Sequence, residues 1–269
     1  MKTLKSIFLT LAIFFFFTAC EKIPTDGFKV EGSIANFQDC PSNKVMAFVP
    51  DHYSRNYFAK VSENKLNNNY FSMFLPYEMK DKYCNAISDN KWILFYPQFE
   101  PYLTISNDNE KVVDVWFNSD KEYFPGGNIT QFGYREKFYN NGVADVTLVK
   151  TKYVYVQSAV SVTGEYETRL NHVSGVDLYK TVKFDLLLQK GWNIIYMIGN
   201  YTSKPNTYYW EIDTAIINIT ATKPENIELK WYYAFWENYR DILKNENARF
   251  INLAFMETGY VSDFIILTF

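Results

Sequence analysis

The sequence predicts an all-β fold. Three observations carry that expectation. Short runs of aromatic, β-branched and aliphatic residues recur along the chain, turn-forming clusters such as Asn67-Asn68-Asn69 and Asn107-Asp108-Asn109 separate them, and aromatic residues make up 19% of the whole, with 22 Tyr and 23 Phe. Aromatic and β-branched side chains suit a pleated, half-buried surface. Repeated short strands with turn signals between them point to β-sandwich-like packing.

Taken in order, strands are expected from Phe28 to Asn36, Lys44 to Val49 and Tyr70 to Leu75, then from Trp92 to Tyr96, Tyr102 to Ser106 and Val112 to Phe117. The strongest punctuation is Tyr123-Phe124-Pro125-Gly126-Gly127-Asn128, where one proline and two glycines interrupt any regular ladder. That break divides the chain into an N-terminal module over residues 28–122 and a C-terminal one over 128–269. In the second half, Tyr153 to Val156 and Val160 to Tyr166 read as a pair. Val182, Phe184, Leu186 and Leu188 then alternate with Lys183, Asp185, Leu187 and Gln189. Gln189-Lys190-Gly191 turns the chain, and Trp192, Ile194, Tyr196 and Ile198 alternate on the way back. Period-two alternation of this kind predicts a hairpin with one buried face. Strands follow over Thr207 to Ala221 and Ile227 to Tyr233. Trp231, Phe235, Trp236, Tyr239, Ile242 and Leu243 fall at helical spacing, which predicts one short helix over about 235–244. Arg249 to Glu257 and Tyr260 to Phe269 close the chain as a hairpin around Thr258-Gly259.

The first residues read as an export signal. Lys2 and Lys5 precede an apolar run from Ile7 to Ala19, and Cys20 ends it. The run is shorter than the roughly 20 residues that span a bilayer, and with its basic flank it has the form of a cleaved signal peptide, residues 1–19. Phe17-Thr18-Ala19-Cys20 resembles a lipobox, with phenylalanine where leucine is usual. The resemblance implies a lipid on Cys20, a tether over residues 20–27 and attachment to the outer membrane. Glu21 alone is a thin version of the acidic stretch that directs such proteins to the cell surface, so the periplasmic and surface faces both stay open.

Loss of residues 1–19 removes Lys2 and Lys5 and moves the net charge from −3 to −5, with 25 basic against 30 acidic residues. Mild acidity without a basic block argues against nucleic acid as a partner. The mature chain keeps Cys40 and Cys84 besides Cys20. In an oxidising compartment the two form a candidate disulfide; two separate buried thiols are the alternative. With His52 and His172 the only histidines, no metal site or cofactor is expected.

Tyr70-Phe71-Ser72-Met73-Phe74-Leu75-Pro76, Val162-Thr163-Gly164 and Leu187-Leu188-Gln189-Lys190-Gly191-Trp192-Asn193 resemble segments of small exported lipoproteins of the Bacteroidetes type. That resemblance implies a β-sandwich lipoprotein of the envelope and carries over neither activity nor catalytic residues. Asp213-Thr214-Ala215 resembles the acceptor for O-glycosylation in exported proteins of that group, which makes Thr214 a candidate modification site.

Catalytic signatures give little. Nucleophile-elbow, zinc-protease and phosphate-loop patterns do not occur. Ser62-Glu63-Asn64-Lys65 and Ser88-Asp89-Asn90-Lys91 match the spacing of a serine–lysine pair but lie in polar, turn-like sequence. Glu165 with Glu167, and Glu211 with Asp213, share strand faces as carboxylates of a glycosidase would. Asn107-Asp108-Asn109-Glu110 offers oxygen ligands without a calcium-loop spacing. The expectation is therefore a membrane-anchored, non-catalytic envelope lipoprotein presenting a binding or structural surface to a glycan or an envelope protein. Rings in Thr207-Tyr208-Tyr209-Trp210 or Trp231-Tyr232-Tyr233 are the candidates for a sugar platform. A polysaccharide-directed hydrolase and a structural subunit of a surface assembly are the rival readings.

Overall fold

Alternating sequence needs a neighbour for every strand and a cover for every apolar face, and the computed structural model shows how both are supplied. It describes residues 26–40, 43–51, 58–95, 97–119, 129–140, 142–171, 177–205 and 210–233. The signal segment, Cys20, the expected helix at 235–244 and the closing hairpin lie outside those residues.

The described chain is mostly strand: β1 (Phe28–Ser33), β2 (Lys44–Pro50), β3 (Phe58–Lys65), β4 (Tyr70–Leu75), β5 (Asn85–Ala86), β6 (Leu103–Ile105) and β7 (Lys111–Asn118), then β8 (Ile129–Phe138), β9 (Ala144–Val156), β10 (Val160–Asn171), β11 (Asp177–Leu188), β12 (Gly191–Pro205), β13 (Trp210–Thr220) and β14 (Lys230–Tyr233). The fold is all-β, as the sequence predicts. β1 and β4 form a two-stranded antiparallel sheet; the other twelve strands share one sheet in the order β3-β2-β7-β8-β9-β12-β13-β11-β10-β6, with β14 beside β8 and β5 beside β7.

On β11 the alternation works as written: Val182, Phe184, Leu186 and Leu188 are buried while Lys183, Asp185 and Leu187 are exposed. The inner faces of β9, β10, β11, β12 and β13 surround one core with Phe95 and Phe99. The expected hairpin between β11 and β12 does not form. β13 lies between them, parallel to β11 and antiparallel to β12, and β12 pairs on its far side with β9. Asn193 closes the corner instead. Its Oδ1 accepts from the Gln189 N–H (2.9 Å), and its Nδ2 donates to the Gln189 and Gly191 carbonyls (2.7 and 2.9 Å). Gly191 sits at φ +100°, a conformation that suits glycine.

Three further segments depart from the sequence reading. The stretch expected as a strand from Trp92 to Tyr96 is not one over its described residues, 92–95: Lys91–Ile93 and Pro97–Tyr102 are 3-10 helices. Pro97 and Pro101 donate no N–H, which excludes an interior ladder there. Ser62 to Lys65, read as turn-like, belongs to β3 at the sheet edge, where exposure on one side suits a polar sequence. β8 carried no expectation at all.

The Tyr123 to Asn128 break lies outside the described residues, but strands on either side of it share a sheet and a core. The second core combines Val30, Phe71 and Val113 from the first half with Tyr153, Tyr155 and Trp231 from the second. Trp231 stacks on Tyr153 (centroids 5.9 Å apart) and meets Phe71 and Phe117 edge-on. Its indole N–H donates to the Glu31 carbonyl (3.1 Å). Nearby, Ala35 N–H donates to the Trp231 carbonyl (2.8 Å), and the Asn36 amide exchanges two hydrogen bonds with the Tyr233 backbone (2.6 and 2.8 Å).

Candidate binding surface

The structure separates the predicted site residues rather than gathering them. Trp231, Tyr232 and Tyr233 are 2%, 1% and 8% exposed, so this cluster fills the core and forms no sugar platform. Thr207, Tyr208 and Tyr209 lie outside the described residues, as do His52, His172 and the side chains of Trp210, Glu211 and Asp213. Cys84 is buried and carries a free thiol, so the Cys40–Cys84 bridge is not formed here; both residues pack against the second core. Burial raises the Cys84 thiol to about 11, with Asp81 adding to the effect. Thr214 is exposed on β13, opposite Thr202 of β12 and Tyr179 of β11.

Two of the carboxylates considered for chemistry, Glu165 and Glu110, are engaged elsewhere. Glu165 pairs with Lys183 across the β10–β11 ladder (3.1 Å). Glu110 is buried and accepts from both the backbone N–H (2.6 Å) and the hydroxyl of Ser158, which ties it to the β9–β10 connection. The Asn109 N–H donates to the Asn107 side chain (3.2 Å), which makes this segment a side-chain-braced turn. Ser62 is buried inside β3 and Ser88 is exposed at a turn, neither at a helix start. Among the described residues, no three His, Cys, Asp or Glu side chains converge as a metal site.

One polar concavity stands at a fork in the sheet. β9 pairs with β8 as far as Lys150 and with β7 from Tyr153 onward, which leaves Thr151 and Lys152 facing a gap. Gln131 of β8 plugs it: its Oε1 accepts from the Thr151 hydroxyl and the Tyr153 hydroxyl (both 3.2 Å). The cavity here, about 50 Å³ and lined also by Lys150, Trp116 and Met197, has room for a few waters. Burial pushes the Tyr153 hydroxyl well above its ordinary range, so it remains a donor. Beside the gap, the buried Asp114 accepts from Trp116 Nε1 (3.0 Å) and pairs with Lys152 (3.2 Å), whose ammonium also donates to the Trp92 carbonyl (3.3 Å).

That last bond fastens the 3-10 segment over the first core, and with it two rings the sequence reading assigned to strands. Trp92 and Tyr102 are 53% and 52% exposed. Tyr102 packs on Tyr166 of β10 (centroids 4.7 Å, planes 55° apart), and Phe99 lies beneath, against Tyr166 and Phe184. An ion pair between Lys91 and Glu100 joins the two short helices. The prolines of Tyr96-Pro97-Gln98-Phe99-Glu100-Pro101-Tyr102 are the signal that locates this shelf in the sequence. Comparison with known proteins gave no matching family model, no matching curated protein and no matching solved structure.

Proposed function

We propose that this chain is a membrane-anchored, non-catalytic lipoprotein of the cell envelope, held at the outer membrane by lipid on Cys20 and displaying its β-fold as a surface for another envelope component. The observation that carries this reading is Cys20 at the end of the apolar run, a few residues before β1 begins at Phe28. Residues 20–27 reach at most about 28 Å when fully extended. A fold tied so closely stays beside the membrane, where its exposed rings and strand edges meet whatever neighbours the envelope supplies. Several acyl chains make such an anchor stable, since each buried methylene contributes about 0.8 kcal/mol.

Metabolic labelling with an alkyne fatty acid tests the anchor. The wild-type chain is expected to take the label and fractionate with outer membranes, and Cys20→Ser is expected to lose both properties. An unlabelled wild-type chain would overturn the reading. Protease treatment of intact and lysed cells then assigns the face.

A further inference from the structure

β10 is a twelve-residue strand paired along its length with β11, whereas on its other side β6 covers only Val162, Thr163 and Gly164. From Glu165 to Asn171, no strand among the described residues lies on that second side. β6 fixes the phase of this edge. The Ser106 N–H donates to the Ser161 carbonyl (3.0 Å), and the Ser161 N–H donates to the Ser106 hydroxyl (2.9 Å). Odd-numbered residues therefore turn their N–H and C=O groups outward, and the period of two carries that pattern on to Glu167 and beyond. On the exposed face the same stretch carries the Glu165 and Glu167 carboxylates; on the inner face it carries Tyr166, with Tyr102 and Phe99 against it.

We propose that this edge accepts one further strand from a partner protein, an extended segment in which basic residues alternate with apolar ones. The inference rests on the reading of the fold as a displayed binding surface and names its partner class. Main-chain hydrogen bonds from Glu167 onward supply the attachment, and the two sheet faces supply selectivity. Basic side chains of the incoming strand lie along Glu165 and Glu167, and its apolar side chains settle on the Tyr102–Tyr166 shelf. The 55° between those two rings presents a notch rather than one flat face, which suits a side chain better than a sugar ring. The opposite edge of the sheet is different in kind: the register of β3 shifts against β2 between Ala47 and Phe48, whereas β10 keeps one register with β11 throughout. Irregularity of that sort discourages strand addition.

Amide hydrogen exchange on the lipid-bearing mature chain in detergent micelles tests the proposal, alone and with a synthetic peptide of about seven residues, a common strand length, that alternates lysine with valine and phenylalanine. The Glu167 amide is expected to exchange quickly in the chain alone and at least about tenfold more slowly with the peptide, a factor that corresponds to about 1.4 kcal/mol. The same peptide N-methylated on the amides that face the edge is expected to have no effect, and a glutamate-for-lysine peptide a much smaller one. Slow exchange at Glu167 in the chain alone overturns the proposal, because the edge is then already covered by the chain's own residues. No slowing with the peptide overturns it in favour of a guarded edge, and equal slowing by the N-methylated peptide reduces it to side-chain adhesion. In Glu167→Pro, which removes one outward N–H, the slowing that the peptide causes at the next outward amide, that of Arg169, is expected to be lost. Fatty-acid labelling at Cys20 is independent of all these outcomes, so failure of the strand site and failure of the anchored reading are told apart.

Discussion

Asp114 and Lys152 show what a single charge does inside this sheet. Their side chains are 6% and 14% exposed, and each has a second partner, the Trp116 indole for the carboxylate and the Trp92 carbonyl for the ammonium. Asp114→Ala leaves the ammonium buried with one neutral acceptor, and a loss of about 3–5 kcal/mol is expected in urea unfolding. Replacing both residues by apolar ones of similar volume is expected to recover most of that loss, because the cost lies in the orphaned charge rather than in the missing attraction. Cys84 supplies a pH-dependent case. Its thiol is raised from 9.0 to about 11 in the folded chain, so the fold favours the protonated form. That contribution is complete below about pH 9 and is lost as the pH rises through about 11. Alkylation of Cys84 near pH 8 is expected to be far slower in the folded chain than in urea. Equal rates in the two states would show that the thiol is not held in the core.

At the scale of elements, period-two alternation identified the buried face of β11 correctly but not that of β12, and it gave the neighbours of both strands wrongly. On β12 the odd-numbered Ile195, Met197 and Tyr201 fill the first core, while Trp192, Ile194 and Ile198 stay half-buried. Alternation records which side of a strand meets the core; it holds no information on which strand lies alongside. That choice was made by residues 210–220, which insert as β13, and by the Asn193 side chain, which occupies the backbone groups a tight hairpin would have used. The polar strand β3 was illegible for a related reason, since an edge position relaxes the demand for apolar residues. The 3-10 shelf was legible in principle through Pro97 and Pro101. Asn36 performs at the chain's start what Asn193 performs at the corner: its amide stands in for a peptide unit opposite Tyr233. Asn36→Ala strands a buried backbone N–H and C=O, and a cost of about 1–3 kcal/mol is expected. Asn36→Asp keeps the acceptor but turns a buried carboxylate toward the Tyr233 carbonyl, and is expected to cost at least as much as the alanine variant near neutral pH.

For the whole molecule, the fold class was readable because composition and turn spacing constrain it strongly, whereas the joining of the two halves was not. Pro125, Gly126 and Gly127 interrupt a ladder locally, yet nothing local says that Trp231 returns to pack on Phe71 and Phe117. Gly32 marks the spot only in hindsight, since a Cβ there would come within 2.3 Å of the indole. Trp231→Ala is expected to cost about 3–5 kcal/mol and to lower one cooperative transition, read alike by exchange protection in β4 and in β12. Two separated transitions would show the halves to be independent. The binding surface was the least legible part, because exposure of a ring and openness of an edge belong to tertiary arrangement.

The hydrogen bonds between Asn36 and Tyr233 join positions 197 apart. Contacts so distant in sequence form late and slowly, because loop closure must precede any reward for making them. While Trp231 is still missing, the aromatic core of the first half lacks its centre and β1 has only β4 to hold it. A chain emerging end-first during synthesis would therefore remain pliable through most of its length, and only the arrival of Trp231 would set the first half firm.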